Sequence, residues 1–331
     1  MTAPGRIIVR APNWIGDAVL SLGAVRDLRR NFPKARIEVL ARAWVADLYA
    51  AVSEVDGVRV SAGLRKDVAS LRGQFDAALL LTNSFQTALA MWAARIPERW
   101  GYARDGRGLL LTRAPRVPEG VRGWSEVYYY RAMLSALGFH VTASPDISLD
   151  PPEAWRSRGA ELLGGEGPWL GVNPGAAFGS AKQWLPERFA AVADQLGRQV
   201  GARVAILGGP KDRAAGEALA ASMSVSARVL CGETTLGELL GVLSHLRLLL
   251  TNDSGPMHLA AAQGVRVVAV FGPTDSRETA PFGDRSHVVR EEVECAPCKL
   301  RECPIDHRCM ELVGVDRVLG AALSAWNRNV A

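Results

Sequence analysis

The strongest constraint on the fold is a repeated alternation of short apolar segments with longer amphipathic ones. In the first half, strands are predicted at Ile7–Arg10, Ile37–Ala41 and Ala77–Thr82, and helices at Asp17–Arg30, Trp44–Val52, Gln86–Arg95 and Trp124–Leu137. In the first of these helices, Val19, Leu22 and Val25 recur at helical spacing. Strands that alternate with helices in this way form parallel sheets covered by helices.

The same alternation begins again in the second half. Strands are predicted at Trp169–Asn173, Val204–Gly208, Arg228–Cys231, Leu246–Thr251 and Val265–Phe271, with helices at about 186–200, 212–223, 235–245 and 256–263. The proline-bearing segment Ser144–Pro152 is the predicted linker. The sequence therefore predicts an α/β protein with two doubly wound domains, residues 1–150 and 151–315, that face a cleft. Residues 316–331 are predicted as a final helix that packs back on the N-terminal domain.

Composition restricts the class of protein. The 331 residues are 48% hydrophobic and 22% charged, which is typical of a soluble globular protein. A net charge of +5 is too small to indicate a nucleic-acid-binding protein. We predict no membrane span, because the uncharged window Ala77–Ala94 contains several polar side chains, and no secretory signal. A cytoplasmic protein is therefore expected, with its five cysteines reduced or metal-bound.

The positive charge is concentrated in the first half of the chain. Residues 1–150 hold 20 basic and 14 acidic side chains, whereas residues 151–331 hold 19 basic and 20 acidic ones. Two interpretations stay open: random variation of the surface, or a first domain that receives an anionic partner.

The loops that follow the predicted strands are the candidate sites, because ligands of open α/β sheets bind beyond the carboxyl ends of the strands. Asp17 ends the first such loop, Ala11-Pro-Asn-Trp-Ile-Gly-Asp17, where it is either a helix cap or a catalytic base. Lys182 lies in a loop of small residues that begins at Asn173-Pro-Gly175. Such a loop brings backbone N–H groups close to a phosphate. The alternative is a flexible loop with a solvated lysine.

The segment Thr251-Asn-Asp-Ser-Gly-Pro-Met-His258 joins a predicted strand to a predicted helix. Pro256 suits the first position of a helix, and the N–H groups and dipole of a helix start attract anions. The alternative is that Asp253 and Ser254 only cap the helix and that His258 is a buried structural histidine. Two Gly-Pro loops, which contain Lys211 and Thr274, are weaker candidates for contacts to a nucleotide.

Four cysteines, Cys295, Cys298, Cys303 and Cys309, lie within 15 residues, with His307 among them. Their spacing permits a tetrahedral zinc site, although it lacks the two C-x₂-C pairs of a zinc ribbon. A packed or disulfide-capable loop is the other interpretation. In either case we expect a structural loop that is remote from any catalytic chemistry.

Together these loops resemble those of the ADP-heptose:lipopolysaccharide heptosyltransferases, glycosyltransferase family 9. The resemblance rests on Ala11–Asp17, on Asn173–Ala176 with Lys182 and Trp184, on Thr251–His258 and on Phe271–Thr274, and so extends over nearly the whole chain. It implies the GT-B fold and an inverting transfer of heptose from ADP-heptose to a lipid-A-linked inner-core sugar. It also implies a peripheral position on the cytoplasmic face of the inner membrane, with no metal or other cofactor required.

The resemblance implies roles for individual residues. Asp17 matches the proposed general base, and Lys182 matches a contact to the donor phosphates. The residues that match the donor-binding segments are Asn173, Gly175, Asp253, Ser254, Gly255, Met257 and His258, with Lys211 and Thr274 as less closely matched contacts. The implied acceptor is a phosphorylated glycolipid, for which the proposed contacts are Arg99, Arg104, Arg107, Arg113 and Arg116, since a guanidinium binds phosphate through two hydrogen bonds.

Two other functions are compatible with the same loops. One is a GT-B enzyme that acts on a different nucleotide sugar, as a transferase or an epimerase. The other is a protein that binds a nucleotide sugar without catalysis. Asp17 beside the predicted phosphate loops favours a transferase over the second of these.

Overall fold

A computed structural model describes residues 3–121, 123–165 and 167–328. The chain divides into two compact units, Met1–Leu149 and Asp150–Ala331. Each unit contains one sheet, and every pair of neighbouring strands in both sheets is parallel. The prediction of two parallel-sheet domains of the Rossmann type is confirmed.

The first unit has a five-stranded sheet with the order β3-β2-β1-β4-β5. Its strands are β1 (Arg6–Arg10), β2 (Arg36–Ala41), β3 (Gly57–Val60), β4 (Ala77–Leu80) and β5 (Glu98–Trp100). Its helices are α1 (Ile15–Leu20), α2 (Leu22–Asn31), α3 (Ala43–Ala50), α4 (Leu64–Leu71), α5 (Phe85–Ala93) and α6 (Glu126–Ala136). Apolar side chains of β1, β2 and β4 form a core with α4 and α5, in which Ile8, Leu71 and Met91 are fully buried.

Three elements of this unit differ from the prediction. The helix expected over Asp17–Arg30 is two helices, separated at Ser21, whose hydroxyl donates to the carbonyl of Ala18 at 2.8 Å. Strands β3 and β5 and helix α4 were not predicted. Both strands are short and lie at the sheet edges, where half-exposed residues replace the continuous apolar run that marks a central strand.

The second unit has a six-stranded sheet with the order β11-β10-β9-β6-β7-β8. Its strands are β6 (Trp169–Asn173), β7 (Arg203–Ile206), β8 (Ala227–Val229), β9 (Leu246–Asn252), β10 (Arg266–Val270) and β11 (Ser286–Val289). Its helices are α7 (Glu153–Leu163), α8 (Pro186–Val200), α9 (Arg213–Ala221), α10 (Leu236–Ser244), α11 (Gly255–Ala262), α12 (Ser276–Thr279), α13 (Arg308–Glu311) and α14 (Val315–Asn327). Helix α7 and strand β11 were not predicted.

The final helix, α14, packs against α8 and the strands β9 to β11 of the second sheet. Its apolar side chains, including Val318, Ala322 and Trp326, belong to the core of this unit. The return of residues 316–331 to the N-terminal domain stays a prediction; residues 329–331 lie outside the described residues. Neither α14 nor any other helix of the described ranges is long and apolar enough to cross a membrane.

Candidate functional site

The loops predicted to bind the donor meet at one place in the second sheet. Strand order reverses between β6 and β9, since the chain continues from β6 toward β8 on one side and from β9 toward β11 on the other. In open α/β sheets such a switch point forms a crevice at the carboxyl ends of the strands. Asn173 ends β6 and lies in register with Thr251 of β9, so the loops that follow both strands lie side by side.

Amide side chains connect these two loops. The Asn173 amide donates to the hydroxyl of Ser254 at 2.9 Å and to that of Thr251 at 3.2 Å. Asn252 donates to the carbonyl of Pro174 at 2.7 Å and accepts from the backbone N–H of Trp184 at 2.9 Å. Asn252 was not among the predicted site residues, and its sequence signal is a polar amide at the end of a strand with a buried apolar centre. Asn252 is fully buried and fixes both loops.

Lys182, Asp253 and Thr274 form a compact polar cluster at this edge. The Lys182 ammonium lies 2.6 Å from Oδ2 of Asp253, and the Thr274 hydroxyl donates to the same oxygen at 2.6 Å. The ammonium also lies 4.9 Å from the centre of the Phe178 ring. Three loops that are distant in sequence thus bring one cation, one carboxylate and one hydroxyl together.

Helix α11 begins directly after Asp253. Its N-cap is Ser254, whose side chain makes no cap hydrogen bond, Gly255 is the first helical residue, and Pro256 occupies the first turn. No hydrogen bond from the Ser254 side chain therefore occupies the N–H groups at the start of the helix, and these groups and the helix dipole favour an anion. Met257 is fully buried, and its contact with the donor stays a prediction.

His258 lies one turn into α11 and is almost completely buried. Burial lowers its pKa to about 4. The negative charge of Asp253 opposes this shift, and the positive charge of Lys182 adds to it. The ring is therefore neutral at pH 7. Its Nδ1 atom is buried without a hydrogen-bond partner among the described residues.

The two remaining donor candidates lie on the β6 and β7 loops. Gly175 packs against Asp212, because a Cβ atom at Gly175 would lie 3.0 Å from the carboxylate Oδ2. That carboxylate accepts from the backbone N–H of Gly209 at 2.8 Å. Lys211 is exposed and forms no ion pair with any residue that the structure describes. Asp212, which we did not single out, thus shapes the loop that carries Lys211.

In the first unit, Asp17 occupies the first turn of α1, at the carboxyl end of β1. The helix cap is Trp14 and not Asp17, so the interpretation of Asp17 as an N-cap is wrong. Asp17 lies close to two buried phenols. Burial raises the pKa of Tyr49 and Tyr130, and the Asp17 charge raises both further.

Two side chains hold the loop that leads to Asp17. The guanidinium of Arg10, itself buried, donates to Oδ1 of Asn13 at 2.9 Å. The indole N–H of Trp44, at the start of α3, donates to the backbone carbonyl of Asn13 at 2.9 Å. The end of β1 and the start of α3 therefore hold Asn13 through its side chain and its backbone carbonyl.

A pocket opens beside this loop at the carboxyl edge of the first sheet. Its lining includes Arg10, Arg42, Ser61, Asp67 and Thr87. The Asp67 carboxylate is bound by the Ser61 hydroxyl at 2.7 Å and the Ala62 N–H at 2.8 Å. Arg42 forms no ion pair within the described residues and lies over the Trp44 ring at 5.9 Å. The pocket therefore presents a guanidinium that is not neutralised by a contacting carboxylate.

The arginines predicted to contact the acceptor divide into two groups. Arg107 is completely buried and donates to the carbonyls of Tyr102 and Thr82. Arg99 donates to the carbonyls of Ile96, Pro97 and Leu110, and Arg113 donates to that of Leu137 and lies 5.0 Å from the Phe139 ring. These three guanidiniums bind the protein's own backbone. The prediction is wrong for Arg107, which is completely buried, and it stays a prediction for Arg99 and Arg113. Arg104, Arg113 and Arg116 are exposed.

The cysteine-rich segment 295–309 is not remote from the donor loops, and that expectation is wrong. The carbonyl of Arg301 accepts from the N–H of Ala181 at 3.0 Å, next to Lys182. Within the described residues, no group of three or more His, Cys, Asp or Glu side chains is arranged to hold a metal ion. Cys295 and Cys298 are exposed, and Cys309 is buried. Burial and the neighbouring thiols raise the pKa of Cys309 to about 11.

Comparison with known proteins places these loops in one family. The model of glycosyltransferase family 9 (heptosyltransferase) matches residues 64–308. The chain belongs to glycosyltransferase family 9. It is 32% identical to lipopolysaccharide heptosyltransferase 2 of Escherichia coli and 30% identical to lipooligosaccharide heptosyltransferase 2 of Haemophilus influenzae, with 86% of this chain and 88% of each relative covered.

A solved structure gives the same assignment. That of the E. coli ADP-heptose lipopolysaccharide heptosyltransferase II superposes with a TM-score of 0.84 at 30% identity, over 97% of this chain and 98% of that one. The fold is therefore that of the GT-B glycosyltransferases of family 9. The family match includes Lys182, Asp253 and residues 295–308 of the cysteine-rich segment, whereas Asp17 precedes the matched residues.

Proposed function

We propose that this family 9 glycosyltransferase moves heptose from ADP-heptose to a heptosylated, lipid-A-linked inner-core sugar with inversion at the anomeric carbon. The observation that carries the proposal is the Lys182–Asp253 pair at the switch point of the second sheet, beside the start of α11. The activity named for its relatives, lipopolysaccharide and lipooligosaccharide heptosyltransferase 2, supports the same reaction.

The donor diphosphate binds at the switch point of the second unit. The Lys182 ammonium and the N-terminal dipole of α11 act on the same region, and both favour an anion. When the bond between the anomeric carbon and the phosphate oxygen breaks, ADP leaves with additional negative charge. Groups that are already in position stabilise that charge without reorganisation. The Asp253 carboxylate holds the ammonium, and the Thr274 hydroxyl donates to that carboxylate. Both side chains can also form hydrogen bonds with the donor sugar.

Asp17 acts as the general base. The acceptor hydroxyl attacks the anomeric carbon, a new C–O bond forms, and the hydroxyl proton moves to the Asp17 carboxylate. General base catalysis of this kind contributes about 10²–10⁴-fold to the rate. The hydrogen bonds of Arg10 and Trp44 to Asn13 support this role, because they fix the backbone that precedes the base.

The acceptor binds to the first unit, where the net charge is positive. Of the cations in that unit, Arg42 is best placed for an anionic group of the acceptor, because it lines the pocket beside the Asn13 loop without a contacting carboxylate. Arg104 and Arg116 are exposed and provide weaker, more screened attraction. We place the enzyme in the cytoplasm, peripherally on the inner face of the inner membrane, where such an acceptor is anchored.

Turnover with ADP-heptose and a heptosylated core acceptor, followed by the mass of the product, tests this function. One added heptose per acceptor is expected, and the Asp17→Asn variant provides the inactive control. Turnover with a UDP-sugar in place of ADP-heptose would favour another GT-B transferase. Binding of ADP-heptose without a product of higher mass would favour a non-catalytic nucleotide-sugar binding protein.

A further inference from the structure

The cysteine-rich segment 295–309 forms hydrogen bonds with both backbone groups of Ala181, the residue that precedes Lys182. The N–H of Ala181 donates to the carbonyl of Arg301 at 3.0 Å. The carbonyl of Ala181 lies 2.8 Å from Nε2 of His307. A carbonyl only accepts, so Nε2 of this histidine carries the proton and donates. The short helical turn Ser180–Lys182 is therefore held from outside its own loop.

The same segment contacts the loop of Thr274, the second partner of Asp253. The N–H of Lys299 donates to the carbonyl of Pro273 at 2.7 Å. On the other side, Gly179 packs so closely that a Cβ atom there would lie 2.2 Å from the carbonyl oxygen of Arg301. One segment thus fixes the backbone next to two of the three side chains in the Lys182, Asp253 and Thr274 cluster.

The backbone of the segment is strained at the residues that make these bonds. Lys299 and His307 have φ values of 57° and 55°, in the left-handed region that residues other than glycine rarely adopt. Such conformations cost free energy and persist where the surrounding contacts determine them, often at functional sites. Here Lys299 is the residue that donates to Pro273, and His307 is the residue that donates to Ala181.

We propose that segment 295–309 is a positioning element of the donor-phosphate site and that His307 is the positioning residue of the Lys182 turn. The proposal rests on the function given above, in which Lys182 contacts the donor diphosphate. A lysine side chain is flexible, so the position of its ammonium depends on how firmly its backbone is held. The hydrogen bond from His307 supplies part of that hold without itself contacting the substrate.

Three variants test the role of His307. His307→Phe keeps a ring but removes the donor, and His307→Gln keeps an N–H donor at a similar reach. The matched control is His245→Phe, because Nε2 of His245 makes the same kind of bond, at 2.8 Å, to the carbonyl of Arg156 between α7 and α10. Calorimetric titration should show ADP binding that is weakened about threefold to tenfold in His307→Phe, since the loss of one hydrogen bond has that effect. His307→Gln should recover most of the affinity, and the acceptor KM should not change.

Hydrogen exchange provides a readout that does not depend on any ligand. Amides in a peptide over residues 179–183 should exchange faster in His307→Phe than in the wild type or in His245→Phe. Faster exchange with equal ADP affinity would overturn the proposal, because the segment would then support the fold alone. Unchanged exchange would overturn it as well. A wild-type protein that does not bind ADP would instead overturn the proposed function, and this inference with it.

Discussion

Lys182 and Asp253 form an ion pair in which Nζ and Oδ2 lie 2.6 Å apart and the two side chains are only 12% and 4% exposed. The same carboxylate oxygen accepts a hydrogen bond from the Thr274 hydroxyl. Removal of one partner of a buried pair leaves an uncompensated charge, which costs far more than replacement of both. The pair therefore couples the stability of the second unit to the position of its phosphate-binding cation.

We expect Lys182→Ala to weaken ADP binding about tenfold to a hundredfold, because a charge-assisted hydrogen bond is lost. The free energy of unfolding should also fall by about 3 kcal/mol, since Asp253 remains buried without its partner. The double variant Lys182→Met with Asp253→Asn should recover the stability but not the ADP affinity. Calorimetry and urea unfolding measure the two effects separately. Lys34→Ala, at an exposed site in the first unit, is the control, and unchanged ADP affinity in Lys182→Ala would contradict the assignment.

Asp17→Asn should reduce the transfer rate by about 10²–10⁴-fold while ADP-heptose binding stays within about twofold of the wild type. The amide has the shape of the carboxylate but cannot take the proton of the acceptor hydroxyl. Rates at saturating donor and acceptor, together with donor titration, check both parts. Asp105→Asn is a suitable control, because this residue is exposed and its φ of 51° suits asparagine. A rate within a few-fold of the wild type would exclude Asp17 as the base.

Much of the fold and part of the site could be predicted from the sequence. Central strands such as β1, β4 and β6 contain runs of buried apolar residues because helices cover both faces of a parallel sheet, so their positions follow from composition. The rule that ligands bind at the carboxyl ends of strands then indicates that the Lys182 and Asp253 loops meet, although 71 residues separate them.

The remaining features depend on tertiary contacts that no local pattern encodes. Arginine in a basic segment is compatible with a solvated side chain and with one that binds buried carbonyls, so the burial of Arg107 could not be predicted. The cysteine spacing drew attention to the thiols of segment 295–309. The contacts to the donor loops are instead made by the carbonyl of Arg301, the N–H of Lys299 and the ring of His307.

Arg107→Gln should destabilise the first unit and not raise the acceptor KM selectively. The guanidinium is completely buried, its pKa is lowered by burial to about 10, and it donates to two backbone carbonyls. Carbonyls left without a donor cost about 1–3 kcal/mol each, so a fall in unfolding free energy of about 2–6 kcal/mol is expected for the two. Urea unfolding measures it, with Arg104→Gln as the exposed control. A stable Arg107→Gln protein with a raised acceptor KM would restore the original assignment.

Arg42→Gln should raise the acceptor KM about threefold to thirtyfold and leave ADP affinity unchanged, because the pocket loses its uncompensated guanidinium. The control is Arg36→Gln at the opposite end of β2, where the guanidinium already pairs with Glu38 at 2.7 Å. The effect of Arg42→Gln should shrink as salt is added, since exposed charges are screened over about 8 Å at physiological ionic strength. Equal acceptor KM values in the two variants would remove Arg42 from acceptor binding.

The free energy of unfolding of the second unit should decrease as the pH is lowered, because of the buried ring of His258. Its pKa is about 4 in the folded protein and 6.5 as the ordinary value, so between these values the unfolded chain binds more protons than the folded one. The neutral ring makes its full contribution to the free energy of unfolding above about pH 6.5. This contribution is lost as the pH falls toward 4, and the loss reaches about 2 kcal/mol at pH 5. Urea unfolding of the wild type and of His258→Gln at pH 7.5 and pH 5 measures this difference. The variant lacks the titrating ring, so its unfolding free energy should depend less on pH by about that amount; equal pH dependence of the two proteins would show that His258 is not buried in its neutral form.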